Sequence, residues 1–154
     1  MYDARRGVVV LFGGGQAAGS TVYGDTWEWN GDDWTQRLDL TTSPPARWAH
    51  AMAYDNDRQR TILFGGLTGT TTAFDDTWEY DGRTWTQVTS SPRPSARWDP
   101  GLAYDLLNKR MVLFAGMDWD GQFGWVDDTW HYGGQGVLLA GIQSKGTPGV
   151  EDVR

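Results

Sequence analysis

Two histidines, no cysteine and 20 carboxylates bound the chemistry open to this chain of 154 residues. His50 opens a strand-like run, and His131 stands where two earlier stretches of similar sequence carry Glu28 and Glu79. Neither has partners at the spacing a metal site needs, so both read as packing or surface residues, and neither a metal nor a cofactor is expected. Without cysteine there is no thiolate ligand, thiol nucleophile or disulfide framework. Two carboxylates could form an acid–base pair, but most of them recur. Asp25, Asp76 and Asp128 each precede Thr-Trp, while Asp3, Asp55 and Asp105 each follow Tyr. A residue needed once for catalysis has no reason to appear in every copy. Turn capping explains the repetition more simply, and no catalytic residue is expected.

Binding candidates remain. Arg47-Trp48 and Arg97-Trp98 follow proline-bearing linkers and begin strands. An arginine there can grip an acidic ligand through two parallel hydrogen bonds, although a structural ion pair to a repeated aspartate is the simpler reading. Asp118, Trp119, Asp120 and Trp125 crowd one loop. Asp118-Trp119-Asp120-Gly121 matches only a fragment of a calcium loop and lacks the closing glutamate. Aromatic rings beside carboxylates instead suit the stacking and hydrogen bonding of a sugar, against the plainer alternative that these rings cap a sheet end. The ligand-binding candidates are therefore Arg47, Trp48, Arg97, Trp98, Asp118, Trp119, Asp120 and Trp125.

These residues are positioned by an internal repeat. Leu63-Phe64-Gly65-Gly66 is preceded by Leu11-Phe12-Gly13-Gly14 and followed by Leu113-Phe114-Ala115-Gly116, at intervals of 52 and 50 residues. Tyr2-Asp3, Tyr54-Asp55 and Tyr104-Asp105 lie at one fixed distance before each apolar run, so that segment aligns without gaps. The stretch from the second glycine to the next Asp-Thr-Trp varies between copies, 11, 10 and 12 residues in turn, as a surface loop allows. Trp34-Thr35-Gln36 then matches Trp85-Thr86-Gln87, each after a turn built on Asn30-Gly31 or Asp81-Gly82, which are strong hairpin signals.

One unit thus reads as four strands, which for the middle copy are expected over about 47 to 55, 60 to 66, 75 to 81 and 84 to 88. Val8–Phe12, Thr61–Phe64 and Met111–Phe114 are nearly continuous apolar runs, suited to strands covered on both faces. In the Asp-Thr-Trp strands the alternation places Trp27 and Trp29 on a packed side and Thr26 and Glu28 on an outer one. No sustained 3.6-residue period occurs, so little or no helix is expected. Since Ala115 replaces the first glycine of the pair, the second glycine should carry the sharper backbone constraint.

Leu-Phe-Gly-Gly, Asp-Thr-Trp, Gly-x-x-Trp, then Arg-Trp and Tyr-Asp, recurring in that order, resemble the kelch repeat of β-propellers, as in the central domain of galactose oxidase. The resemblance covers residues 1–134 and implies an all-β chain of about three four-stranded blades, near 1–38, 47–88 and 97–132. Residues 135–154 form a divergent strand and tail. The apolar stretch from Gly136 to Ile142 is either a substitute fourth strand for the third blade or the first strand of another. Propellers have about 4 to 8 blades, so three make a partial propeller, and the ring is expected to be completed by a second chain in a six-bladed homodimer or by a larger polypeptide. Copper chemistry of the galactose oxidase kind needs cysteine and clustered histidines that are absent here.

A formal charge of −7 with scattered basic residues argues against nucleic-acid and anionic-membrane partners, and no apolar stretch is long enough for a spanning helix. The expected function is that of a non-catalytic binding or interaction module for a protein or carbohydrate, met by loops 15–24, 67–75 and 117–127. The alternative is a sugar-processing propeller enzyme, mutarotase- or epimerase-like, acting as an oligomer. The compartment stays open, an extracellular or periplasmic setting requiring a signal that this sequence does not contain.

Overall fold

The turns are fixed by side chains one turn away. Asn30 Oδ1 accepts the N–H groups of Asp32 and Asp33, both at 2.9 Å, and Asp81 Oδ1 accepts those of Arg83 and Thr84 at 2.8 and 2.9 Å. The repeated Asp after Tyr does the same in the other hairpin of each unit. Asp3 holds the amides of Arg5 and Arg6, Asp55 those of Asp57 and Arg58, and Asp105 those of Leu107 and Asn108. These carboxylates recur because each hairpin needs its own cap.

The computed structural model describes residues 1–16, 21–119, 123–133 and 137–139. Between the capped turns lie strands β1 (Tyr2–Asp3), β2 (Val8–Gly15), β3 (Val22–Trp29) and β4 (Trp34–Gln36), then β5 (Ala51–Asp55), β6 (Arg60–Phe64), β7 (Leu67–Thr68), β8 (Thr72–Ala73), β9 (Thr77–Tyr80) and β10 (Trp85–Val88). They are followed by β11 (Gly101–Asp105), β12 (Arg110–Phe114), β13 (Met117–Trp119), β14 (Phe123–Trp125), β15 (Thr129–Gly133) and β16 (Val137–Leu139). All regular structure among the described residues is strand.

The strands form three antiparallel four-stranded sheets, β1-β2-β3-β4, β5-β6-β9-β10 and β11-β12-β15-β16, with two short ladders, β7–β8 and β13–β14. The apolar stretch after residue 135 supplies the fourth strand of the third sheet, His131 pairing with Leu139 and Gly133 with Val137.

The sheets pack face on face. Val10 and Phe12 of the first meet Leu63, Tyr80 and Trp85 of the second. The other face of the second sheet sets Ile62 and Phe64 against Met111, Leu113, Trp130 and Tyr132 of the third. Among the described residues, only the middle sheet is covered on both sides. Leu63 is fully buried, whereas its counterpart Leu11 is 46% exposed; Phe64 is 3% exposed, whereas its counterpart Phe114 is 53% exposed.

Two expectations are corrected. Thr26 and Glu28 are not on an outer side: Thr26 is buried and accepts the indole N–H of Trp85 at 3.0 Å. Glu28 accepts from Arg6 at 2.6 Å and from the Tyr80 hydroxyl at 2.8 Å. Glu79 repeats the arrangement with Arg58 at 2.6 Å and the Tyr132 hydroxyl. The neighbouring sheet covers that face, so its polar groups are satisfied across the interface. Nor is the second glycine alone constrained. Gly13 and Gly65 have φ of +57° and +68°, and a Cβ would lie 2.6 Å from the Arg47 carbonyl oxygen or 2.5 Å from that of Arg97. Ala115 keeps the same left-handed backbone at φ +56°, with no described counterpart of that carbonyl beyond it.

Candidate functional site

The two ends of the sheets differ. The capped hairpins gather at one end, and the segments after the glycines, with the linkers, gather at the other. At the latter end the second glycine donates to the next unit: Gly14 N–H to Arg47 O and Gly66 N–H to Arg97 O, both at 2.9 Å. The arginine amides answer, Arg47 to Tyr23 O at 3.0 Å and Arg97 to Phe74 O at 3.1 Å. Each Arg-Trp segment is thereby clipped into the loop of the preceding unit.

Arg47 and Arg97 have fully buried side chains. Arg47 forms a two-pronged pair with Asp76, at 2.5 and 2.9 Å, donates to Gly65 O and Pro45 O at 3.0 Å, and lies 3.9 Å over the Phe74 ring. Arg97 pairs with both oxygens of Asp128 and donates to Ala115 O, Ser95 O and Ser95 Oγ. The same aspartates accept indole N–H groups, Asp76 from Trp78 at 2.7 Å and Asp128 from Trp130 at 2.6 Å. Burial acts against ionisation of Asp128, but the Arg97 and Trp130 hydrogen bonds outweigh it and lower its pKa. Both guanidiniums are committed inside the fold.

Trp48 and Trp98 anchor the loop bases. Trp48 exchanges backbone hydrogen bonds with Leu67 at 3.0 and 2.9 Å, and Trp98 with Met117 at 3.0 and 2.8 Å. The Trp48 indole donates to Gly69 O at 3.0 Å, and Trp98 is 6% exposed.

The third unit's loop is the hairpin β13–β14. Met117 pairs with Trp125 and Asp118 with Gly124, so by the alternation of a strand the Trp125 indole and the Asp118 carboxylate stand on opposite faces. The Trp125 ring and this carboxylate are therefore not brought together. Trp125 is 80% exposed. The backbone of Trp119 ends β13, and Asp120 lies outside the described residues.

His50 packs edge-on against Phe12, with ring centroids 5.7 Å apart. Burial, assisted by the Arg47 charge, lowers its pKa to about 4, and its Nδ1 is buried without a partner. It is a neutral packing group at pH 7. No group of three or more potential metal ligands occurs among the described residues.

The fold gathers at the hairpin end what the sequence disperses. Arg5, Arg6, Arg60 and Arg83 line one cleft of about 430 Å³ with Asp81 and Gly82. They lie in three separate stretches, so a scan for runs of charge sees only Arg5-Arg6. A second hollow, of about 420 Å³, follows the edge strands β1, β5 and β11 and is lined by Tyr2, Met52, Tyr54 and Tyr104 among others.

No family model and no curated protein matches this chain. Among solved structures, the chain is similar to the structure of YjhT, with a TM-score of 0.62 and 11% sequence identity over 80% of this chain. The likeness is one of fold. The chain spans 40% of that structure's length.

Proposed function

We propose that the chain is a non-catalytic, kelch-type interaction module whose three sheets are blades of a propeller, and that the loops after the glycine pairs take a protein or carbohydrate ligand. The observation that carries this reading is a contrast. Polar groups that recur between copies, above all Arg47–Asp76 and Arg97–Asp128, are committed to one another, whereas the loop that differs most exposes the Trp125 indole. A large exposed ring on a short paired ladder is a low-entropy anchor for a protein surface or a sugar face.

A glycan array read with the parent chain and Trp125→Ala tests it. Specific hits that disappear in the variant support the carbohydrate form, and an array without hits leaves the protein form. Turnover of any sugar by the parent, lost on Asp118→Asn or Trp125→Ala, overturns the non-catalytic reading in favour of a mutarotase- or epimerase-like enzyme. Arg47→Ala and Arg97→Ala are poor probes of either, because both remove a buried ion pair.

A further inference from the structure

The cleft at the hairpin end is a place where the copies differ in charge. Arg5 and Arg6 come from the β1–β2 turn, Arg60 opens β6, and Asp81, Gly82 and Arg83 form the β9–β10 turn. Arg6 is held by Asp3 and Glu28, both at 2.6 Å. Its guanidinium lies against Gly82, where a Cβ would come within 2.7 Å of it, and its Nη2 is buried without a partner. This part is structural, because Arg58 repeats it with Asp55 and Glu79 in the next unit.

The other three arginines are different. Arg60 makes one long bond, 3.3 Å, to Gln59 O. The guanidiniums of Arg5 and Arg83 make no hydrogen bond or ion pair with any described residue, and Asp81 uses one oxygen on the turn amides. Arg60 has a basic counterpart, Arg110, in the third unit, but the counterparts of Arg5 and Arg83 in the other units are not basic. Asp57 stands where the first unit has Arg5, and Asp32 stands where the second has Arg83. Asp57 engages Tyr104 and Lys109 in the next gap between sheets. Packing therefore does not require arginine at either place, yet both project beside Arg60 in a chain of net charge −7.

We propose that this cleft binds a small doubly charged oxyanion, a phosphate monoester of about sugar size, with Arg5, Arg60 and Arg83 donating to its oxygens. Arginine forks match phosphate geometry and keep their charge at every working pH, and a concave basic site focuses its field although the whole molecule is acidic. The volume lies in the range of small-molecule sites and leaves room for an organic group beyond the ion. A nucleic-acid strand would have to run out of one small basic patch onto an acidic surface. The site lies at the opposite end from the loops after the glycines, so it stands or falls independently of them.

Isothermal titration of the full chain at low ionic strength, with glucose 6-phosphate, inorganic phosphate and glucose as probes, tests the proposal. Glucose 6-phosphate is expected to bind saturably at one site, more tightly than inorganic phosphate and more weakly as salt rises, while glucose gives no heat. Equal affinity for inorganic phosphate would keep the oxyanion site and assign it the free ion. Arg5→Asp and Arg83→Asp, which place at each position the residue its counterpart carries, are each expected to weaken binding about tenfold or more with an unchanged melting temperature. Arg93→Ala, at an exposed arginine paired with Asp75 elsewhere, is expected to change nothing. No saturable binding of either phosphate, equal binding by the two aspartate variants, or equal weakening by Arg93→Ala would overturn the proposal.

Discussion

At the scale of single residues, the same side chain has opposite energetic standing in different copies. Trp85 is 1% exposed, stacks on Tyr80 at 4.9 Å and meets Phe12 at 5.3 Å. Its counterpart Trp34 is 43% exposed. Trp85→Ala is therefore expected to cost about 3–5 kcal/mol and Trp34→Ala under about 1 kcal/mol, a contrast that denaturant unfolding of the two variants measures. The tryptophans were legible in the sequence as packing residues, but which of them is covered was not. Burial here depends on having a neighbouring sheet on that side, and both copies carry the same local motif.

His50 provides a pH signature at the same scale. Its folded pKa of about 4 lies below the ordinary 6.5, so the unfolded chain binds a proton between those values that the folded chain refuses. Its contribution is thus fully present above about pH 6.5 and is lost as pH falls toward about 4. The aspartates whose pKa is lowered, among them Asp128 and Asp81, start from 3.8 and act below that window. The melting temperature is expected to fall between pH 6.5 and 4.5, and His50→Phe is expected to flatten that fall. An unchanged slope in the variant would remove His50 as its source.

At the scale of elements, the motif that repeats is a joint between sheets. The apolar run, glycine pair and Arg-Trp segment could be recognised as recurring, and strand order and hairpins followed from period two and the Asn-Gly and Asp-Gly turns. Linear sequence could not say that Gly65 touches Arg97 O, because that contact depends on how the next unit docks. Gly65→Ala would force a left-handed alanine and put its Cβ 2.5 Å from that carbonyl. Left-handed backbone alone costs about 1–2 kcal/mol, so Gly65→Ala is expected to lose at least about 2 kcal/mol with the clash added. Ala115→Gly relieves the same backbone without any clash to remove, and thermal melts should show it as stable as the parent or more so. The arginine cleft was illegible for a related reason: its members converge only when the turns of two sheets meet.

At the scale of the whole molecule, the faces that the described residues leave open are the two that the internal packing has already shown to be complementary. The face carrying Val10 and Phe12 docks on that carrying Leu63, and the face carrying Ile62 and Phe64 docks on that carrying Met111 and Leu113. What remains is the Leu11 face of the first sheet, 46% exposed at Leu11, and the Phe114 face of the third, 53% exposed at Phe114. These are one of each kind, so a second copy stacked head to tail buries all four open faces of the pair only when the two copies close on each other, as a heterologous contact must to avoid a filament. Light scattering of the isolated chain is then expected to give twice 17.2 kDa, and Leu11→Arg, which charges one open face, is expected to give the single mass with its circular dichroism unchanged. A parent chain that stays monodisperse at the single mass would exclude the second copy and leave further sheets of a longer polypeptide to cover Leu11 and Phe114.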